Sequence, residues 1–334
     1  MATLHKEYNT FYNTIKLTDN RKDGLLGSRK AIRKKVKDWF KEHKSDRLQP
    51  TFKGQGSFEM DTTVNPIVVK DENGNELRAY DLDDGIYFKE KENENNRENI
   101  ATWHNWVYEA VKNHTNTKDP IRKNTCVRVV FANGHHIDLP IYYKDGDTPE
   151  LAHRSKDWID SDPVAFTDWF IKKSNKQMKR LVRYIKAWKD YRQQKNTHLK
   201  LPSGFALTIL IVNNYVSDDD DSTAFRETVR NIYNTLTSYN GFKCLRPTVP
   251  VNDDVFAEYS DSRRENFLTT LYSLVNDCDR ANDETNFKKA SEYLRDYQFG
   301  DRFPKGNDTD ENAQKKSMSD ELKTAYIPPK PYGY

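Results

Sequence analysis

The stretch AYDLDDGIYF, residues 79–88, constrains this chain more than any other. Its apolar run reads as a β-strand, yet Asp81 and Asp83 occupy places where a strand made only for packing carries Val, Thr or Tyr. Side chains alternate along a strand, so Asp81 and Asp83 point to one face while Leu82 and Asp84 point to the other. Two adjacent carboxylates repel each other unless something positive lies between them. A solvated strand edge would also tolerate them. A third acid sits in HHIDLPIYY, where Ile137, Leu139 and Ile141 share one face and Asp138 shares the other with His136 and Pro140. If the two strands lie close together, three carboxylates converge. Upstream, GQGSFEMD (residues 54–61) supplies a turn in which Gly54 and Gly56 let backbone approach a ligand and Ser57 offers a hydroxyl.

Periodicity divides the chain into two parts. A helix is expected over residues 24–44, with Leu25, Ser28, Ile32, Val36 and Trp39 or Phe40 on one face. Arg33, Lys34 and Lys37 read as its solvated side. A polar turn at 71–74 precedes the acidic strand, and the charged run 89–99 reads as a loop or a helix start. A helix through Trp103, Trp106, Val107, Ala110 and Val111 follows. The stretch CVRVVFANGHHIDLPIYY reads as two strands joined at Asn133-Gly134, with His135 and His136 as ordinary hairpin residues. After Pro149 the pattern is helical. Met178, Leu181, Val182, Ile185 and Trp188 form one stripe, and Phe225, Val229, Ile232 and Leu236 another. The acidic run 218–221 reads as a helix N-terminus, where negative charge is favourable, with Ser222 as its cap. The expected organisation is α+β: a lobe with a mixed sheet over residues 1–150, a helical lobe over 151–304, a cleft between them, and a disordered tail over 305–334.

Composition narrows the function classes. Basic and acidic residues nearly balance, 54 against 51, which does not call for a long nucleic-acid partner. Aromatic residues reach 12%, enough to build a core that the 35% apolar content understates. Cys126, Cys244 and Cys278 are far apart and form no CxxC pair, so neither a zinc knuckle nor a redox motif is indicated. No stretch approaches the roughly 20 apolar residues of a membrane span, and the first residues lack a secretion signal. A cytoplasmic location and no membrane partner are expected.

Three acids can hold two Mg²⁺ or Mn²⁺ ions about 3.5–4 Å apart, the arrangement used for in-line phosphoryl transfer. The order Gly-Ser turn, Asp-x-Asp strand, distant single Asp resembles the DNA polymerase β-like nucleotidyltransferases. More narrowly, GQGSF, DLDDGIY and HIDLPIY are similar to the bacterial cyclic-oligonucleotide synthases, the CD-NTases. RLVRYIKAWKDY, LPSGFALTIL and YQFGDRFP agree, so the resemblance covers residues 20–304. It implies that Asp81, Asp83 and Asp138 are catalytic metal ligands. It implies that Gln55, Gly56, Ser57, Lys186 and Ser203 attend the triphosphate and that Phe205 stacks on a base. The implied partners are NTP substrates, a separate effector switched on by a cyclic product in antiphage defence, and a ubiquitin-transfer-like partner at the C-terminal PPKPYGY. Nucleotide transfer to RNA or protein, or a catalytically silent nucleotide-binding module, are the alternatives.

Overall fold

The structure is a computed structural model that describes residues 3–70, 76–77, 80–90, 96–115, 118–132, 134–239 and 241–310. The turn expected at 71–74, Asn133 of the hairpin, part of the charged run 89–99 and the tail from residue 311 lie outside the described residues.

Helices α1 (His5–Ile15) and α2 (Asp19–His43) lead into β1 (Thr51–Gln55) and the single turn α3 (Gly56–Glu59). A small ladder, β2 (Val69–Lys70) with β3 (Glu76–Leu77), precedes β4 (Asp81–Lys89) and α4 (Ile100–Val111). The strands β5 (Ile121–Arg122), β6 (Cys126–Val130), β7 (His136–Lys144), β8 (Glu150–His153) and β9 (Asp157–Asp160) complete the first half. Six helices follow: α5 (Pro163–Lys173), α6 (Lys176–Lys195), α7 (Gly204–Asn214), α8 (Asp221–Thr237), α9 (Asp261–Asp283) and α10 (Phe287–Leu294). The fold is α+β with a mixed sheet of order β1-β4-β7-β6-β5, and β8 and β9 extend it from β7. β4 and β7 are parallel, whereas β1 and β6 flank them antiparallel. Parallel neighbours need a long crossover, and α4 lies within it.

One face of the sheet is apolar by alternation. Leu82 and Ile86 of β4 and Ile137, Leu139 and Ile141 of β7 pack under α2 and α4, which contribute Leu25, Ile32, Val36, Phe40, Trp103 and Val107. Helix α2 begins at Asp19, five residues before the expected start. Its basic side is not wholly solvated, as the sequence suggested. Arg33 reaches into this layer and clasps the fully buried Asp84 with both carboxylate oxygens, Nε to Oδ2 at 2.7 Å and Nη2 to Oδ1. Asp84 sits on the core face because of strand alternation, and the fork of an arginine satisfies it. The strands β6 and β7 join through residues 131–135, a longer connection than a two-residue turn.

The second core is helical and aromatic. Tyr184 and Trp188 of α6, Phe225 of α8, Phe299 and Phe303 pack around Tyr8 and Phe11 of α1. The first helix of the chain therefore packs against helices that follow the sheet. The Tyr184 hydroxyl donates to the Tyr8 carbonyl at 3.1 Å and to Asp221 at 2.8 Å. Asp221 is fully buried and also takes both guanidinium arms of Arg180 at 2.6 Å. The cap of α8 is Asp220 rather than Ser222, since its carboxylate accepts from the N–H groups of Ser222 and Thr223. Asp221, one place further, is turned inward as a structural anchor. Asn175 and Ser203 cap α6 and α7, each side chain accepting from a backbone N–H of the first turn. All three cysteines are buried free thiols. Among the described residues no helix is long and apolar enough to cross a membrane.

Arg33→Ala leaves the Asp84 carboxylate buried without its partner. The expected cost is about 3 kcal/mol in urea unfolding at an unchanged m-value. A loss below about 1 kcal/mol would show that the pair is not what binds α2 to the sheet.

Candidate active site

Register brings the acids together. In the parallel β4–β7 pair, Asp81 lies opposite His136 and Asp83 lies opposite Asp138. Alternation puts all four side chains on one face, the face away from the apolar core, so they form a two-by-two square. A ligand atom from each of Asp81, His136 and Asp138 lies within 4.8 Å of the others. On the next strand Arg128 stands opposite Asp138 and grips it with two bonds of 2.7 Å.

The Gly-Ser turn closes over this square. β1 pairs with β4 so that Gln55 lies opposite Asp83, and α3 starts at the next residue. Gln55 is buried and bonded to the stacked pair Tyr87 and Tyr142, accepting from the Tyr87 hydroxyl at 3.3 Å and donating to that of Tyr142 at 3.1 Å. It positions the turn from behind. Gly56 has φ +72°, and a Cβ there would lie 2.5 Å from Asp83 Oδ2. Only glycine lets the backbone pass so close to that carboxylate. The Ser57 hydroxyl rests 3.1 Å from that of Thr63.

The helical half supplies the opposite wall. Lys186 on α6 donates to Thr62 Oγ1 at 3.1 Å. Its stem passes Gly204, where a Cβ would meet Lys186 Cε at 3.2 Å. Ser203 caps α7, its hydroxyl oxygen accepting from the Ala206 N–H at 3.3 Å. Phe205 packs against Phe166 with centroids 4.4 Å apart, and the guanidinium of Arg246 lies over its ring at 5.1 Å. Arg246 is itself held by Asp253 at 2.9 Å. Gln55, Gly56, Ser57, Asp81, Asp83, Asp138, Lys186, Ser203 and Phe205, the nine side chains singled out from sequence, line one cavity of about 1410 Å³.

The charges in this cavity strain one another. Burial, then the charges of Asp81 and Asp138, push the Asp83 carboxyl well above the ordinary range. Burial pushes the Lys186 ammonium down to about 8 against the pull of Asp81. Burial and Arg128 hold His136 below the usual imidazole value. The donors are hard oxygens with one imidazole, and a divalent cation would relieve the repulsion that raises Asp83. The residues therefore fit Mg²⁺ or Mn²⁺.

Sequence reasoning missed three residues here. His136 was assigned to the hairpin, and only the β4–β7 register shows that it faces Asp81. Arg128 and Arg246 carry no motif. For Arg128 the signal was its place opposite Asp138 in an antiparallel pair.

Comparison with known proteins agrees with this geometry. Residues 50–142 match the family model "Cyclic GMP-AMP synthase DncV-like, nucleotidyltransferase domain", a span that includes the Gly-Ser turn and all three aspartates. Over those residues the chain is similar to the nucleotidyltransferase domain of the DncV-like cyclic GMP-AMP synthases. It is 32% identical over 177 residues to a cyclic GMP-AMP synthase of Escherichia albertii, covering 50% of this chain and 38% of that protein. It is 27% identical over 157 residues to a cyclic AMP-AMP-AMP synthase of an Acinetobacter species, covering 45% of each. The chain thus matches less than half the length of either curated relative. Vibrio cholerae DncV bound to nonhydrolyzable GTP superposes with a TM-score of 0.75 at 21% identity over 90% of this chain and 97% of that one, a likeness of fold.

Two outcomes follow for this site. Gly56→Ala should cost about 1–3 kcal/mol, because it combines a disfavoured φ with a clash against Asp83. Thermal unfolding checks it, and an unchanged midpoint would mean the turn can move aside. Lys186 is charged below about 8 and neutral above. Affinity for a nonhydrolysable triphosphate should therefore weaken several-fold as pH rises through that value, while Lys186→Arg stays flat because guanidinium keeps its charge. Parallel pH profiles for the two proteins would remove Lys186 from triphosphate binding.

Proposed function

We propose that the chain is a divalent-cation-dependent nucleotidyltransferase that joins nucleoside triphosphates into a cyclic di- or oligonucleotide. The observation that carries this reading is the set of three carboxylates, Asp81, Asp83 and Asp138, on the floor of a cavity whose walls bear Ser57 and Lys186. At about 1410 Å³ the cavity exceeds the ~300–1,000 Å³ of a single-ligand pocket and suits a donor and an acceptor nucleotide together. That supports ring closure, in which a linear product must lie in the same space. Vibrio cholerae DncV, of the same fold, has been seen with the linear intermediate pppA(3′,5′)pG, and named relatives make cyclic GMP-AMP and cyclic AMP-AMP-AMP.

In the reaction a nucleotide 2′- or 3′-hydroxyl attacks the α-phosphorus of a second triphosphate, a new P–O bond forms, and the bond to pyrophosphate breaks. Lys186 and Ser57 hold the triphosphate in line. The Gly56 backbone gives it room above Asp83. Asp138, aimed by the fork of Arg128, accepts the proton of the attacking hydroxyl. Asp81, Asp83 and Asp138 would hold the cation, which when bound would neutralise charge on the transferring phosphoryl group and make the hydroxyl a better nucleophile. Phe205, with the Arg246 guanidinium over its ring, gives the base a stacking platform. By likeness to the CD-NTases, the product serves as a second messenger that switches on a separate antiphage effector. The same likeness supports handling of the C-terminus by a ubiquitin-transfer-like partner.

Purified protein given all four labelled triphosphates with Mg²⁺ or Mn²⁺, and no other acceptor, should release a phosphatase-resistant product. Asp83→Asn and Asp138→Asn should each lower its rate at least about 100-fold. Label that appears only on added RNA or protein, or unchanged rates in both variants, would overturn the assignment.

A further inference from the structure

The geometry points to His136 as a metal-binding side chain that joins Asp81 and Asp138, making the site take a first-row transition ion such as Mn²⁺ in preference to Mg²⁺. This inference deepens the proposed reading and rests on it. The imidazole is nearly enclosed, with 12% of its side chain exposed, and its Nε2 lies 3.9 Å from Asp81 Oδ2. That is too long for a hydrogen bond. It is the right length for a shared ion: two atoms each bound at about 2.1 Å lie about 3–4.2 Å apart, depending on the angle between them.

In the neutral tautomer that carries its proton on Nδ1, the Nε2 lone pair faces the Asp81 carboxylate. A lone pair and a carboxylate oxygen facing each other with no proton between them repel. A cation between them turns that repulsion into two bonds. Nothing in packing requires a histidine here, because its strand neighbours Ile137 and Leu139 carry the core contacts on the opposite face. Imidazole is a good ligand for transition ions, whereas Mg²⁺ holds to oxygen, so one nitrogen donor among carboxylates shifts the preference.

The probe is Mn²⁺ alone, added to the full chain without nucleotide. Electron paramagnetic resonance measures its binding, and pulsed spectra reveal nitrogen coupled to the bound ion. Wild-type protein should show imidazole nitrogen coupling. His136→Ala should lose that coupling and bind Mn²⁺ at least about tenfold more weakly, while Mg²⁺ affinity, read by competition, changes less than about threefold. His136→Gln should behave like the alanine variant and keeps the volume should His136→Ala fail to fold. The wild-type spectrum needs no variant at all. Absence of nitrogen coupling in bound wild type, or equal weakening for both ions, overturns the inference. Nitrogen coupling in a protein that joins no nucleotides would sink the nucleotidyltransferase reading alone, and nucleotide joining without the coupling would sink the role of His136 alone.

Discussion

The register between β4 and β7 is the constraint on which everything else rests. Parallel pairing places Asp83 directly beside Asp138 and Asp81 beside His136, and side-chain alternation sends all four to one face. A shift of one residue would carry the acids into the apolar layer and bring Leu82 and Ile137 out of it. The apolar face under α2 and α4 therefore enforces the geometry of the acidic face. The fully buried Asp84 belongs to the same logic. It lies on the core side of the strand, and Arg33 of α2 fits it only in this register.

The cavity is built from two kinds of scaffold with different tasks. The sheet holds carboxylates a fixed distance apart and cannot relieve their repulsion by letting one swing away, since Gly56 presses backbone against Asp83 from above. The helical half presents cationic and aromatic groups on α6, α7 and the segment that carries Arg246. Arg183, buried on α6, ties the two halves by donating to Asp61 at 2.7 Å, on the chain just after the Gly-Ser turn. One turn along the same helix, Lys186 holds Thr62. The wall that would grip the triphosphate is thus fastened to the turn that would lie over it, so a load on one is felt by the other.

Much of this was legible in the residues themselves. Alternation showed that Asp81 and Asp83 share a face, and the separate strand pattern around Asp138 put it on the polar side of its own strand. Both are local properties of a period-two chain. What depends on pairing could not be read. His136 is as plainly on the polar side as Asp138, yet its meaning comes from the strand beside it. Arg33 looked like one more cation on a basic helix face, because nothing local distinguishes the arginine that meets a buried acid from the lysines that meet water. Ser222 is a better cap by composition than by position. Asp220 reached the free N–H groups first, and Asp221 was drawn inward by Arg180 and Tyr184. The place of α1 against Tyr184 and Phe299 was equally hidden, since an eleven-residue amphipathic helix does not name the surface it will cover.

Arg128 shows how the site can exist before any cation arrives. Three carboxylates and no counter-charge would be a costly floor for a folded domain, and Asp83 already shows the strain in its raised affinity for a proton. The guanidinium offsets part of that charge by binding both oxygens of Asp138. The remaining repulsion falls on Asp83, which lies against the Gly56 backbone with Asp81 and Asp138 beside it. An arriving cation therefore gains most where charge is least compensated, and Asp138 can join it without losing its orientation, because an arginine fork holds a carboxylate in plane while leaving lone pairs on both oxygens. Folding and cation binding thus draw on the same repulsion in opposite ways: the first tolerates it through Arg128, and the second is driven by what Arg128 leaves.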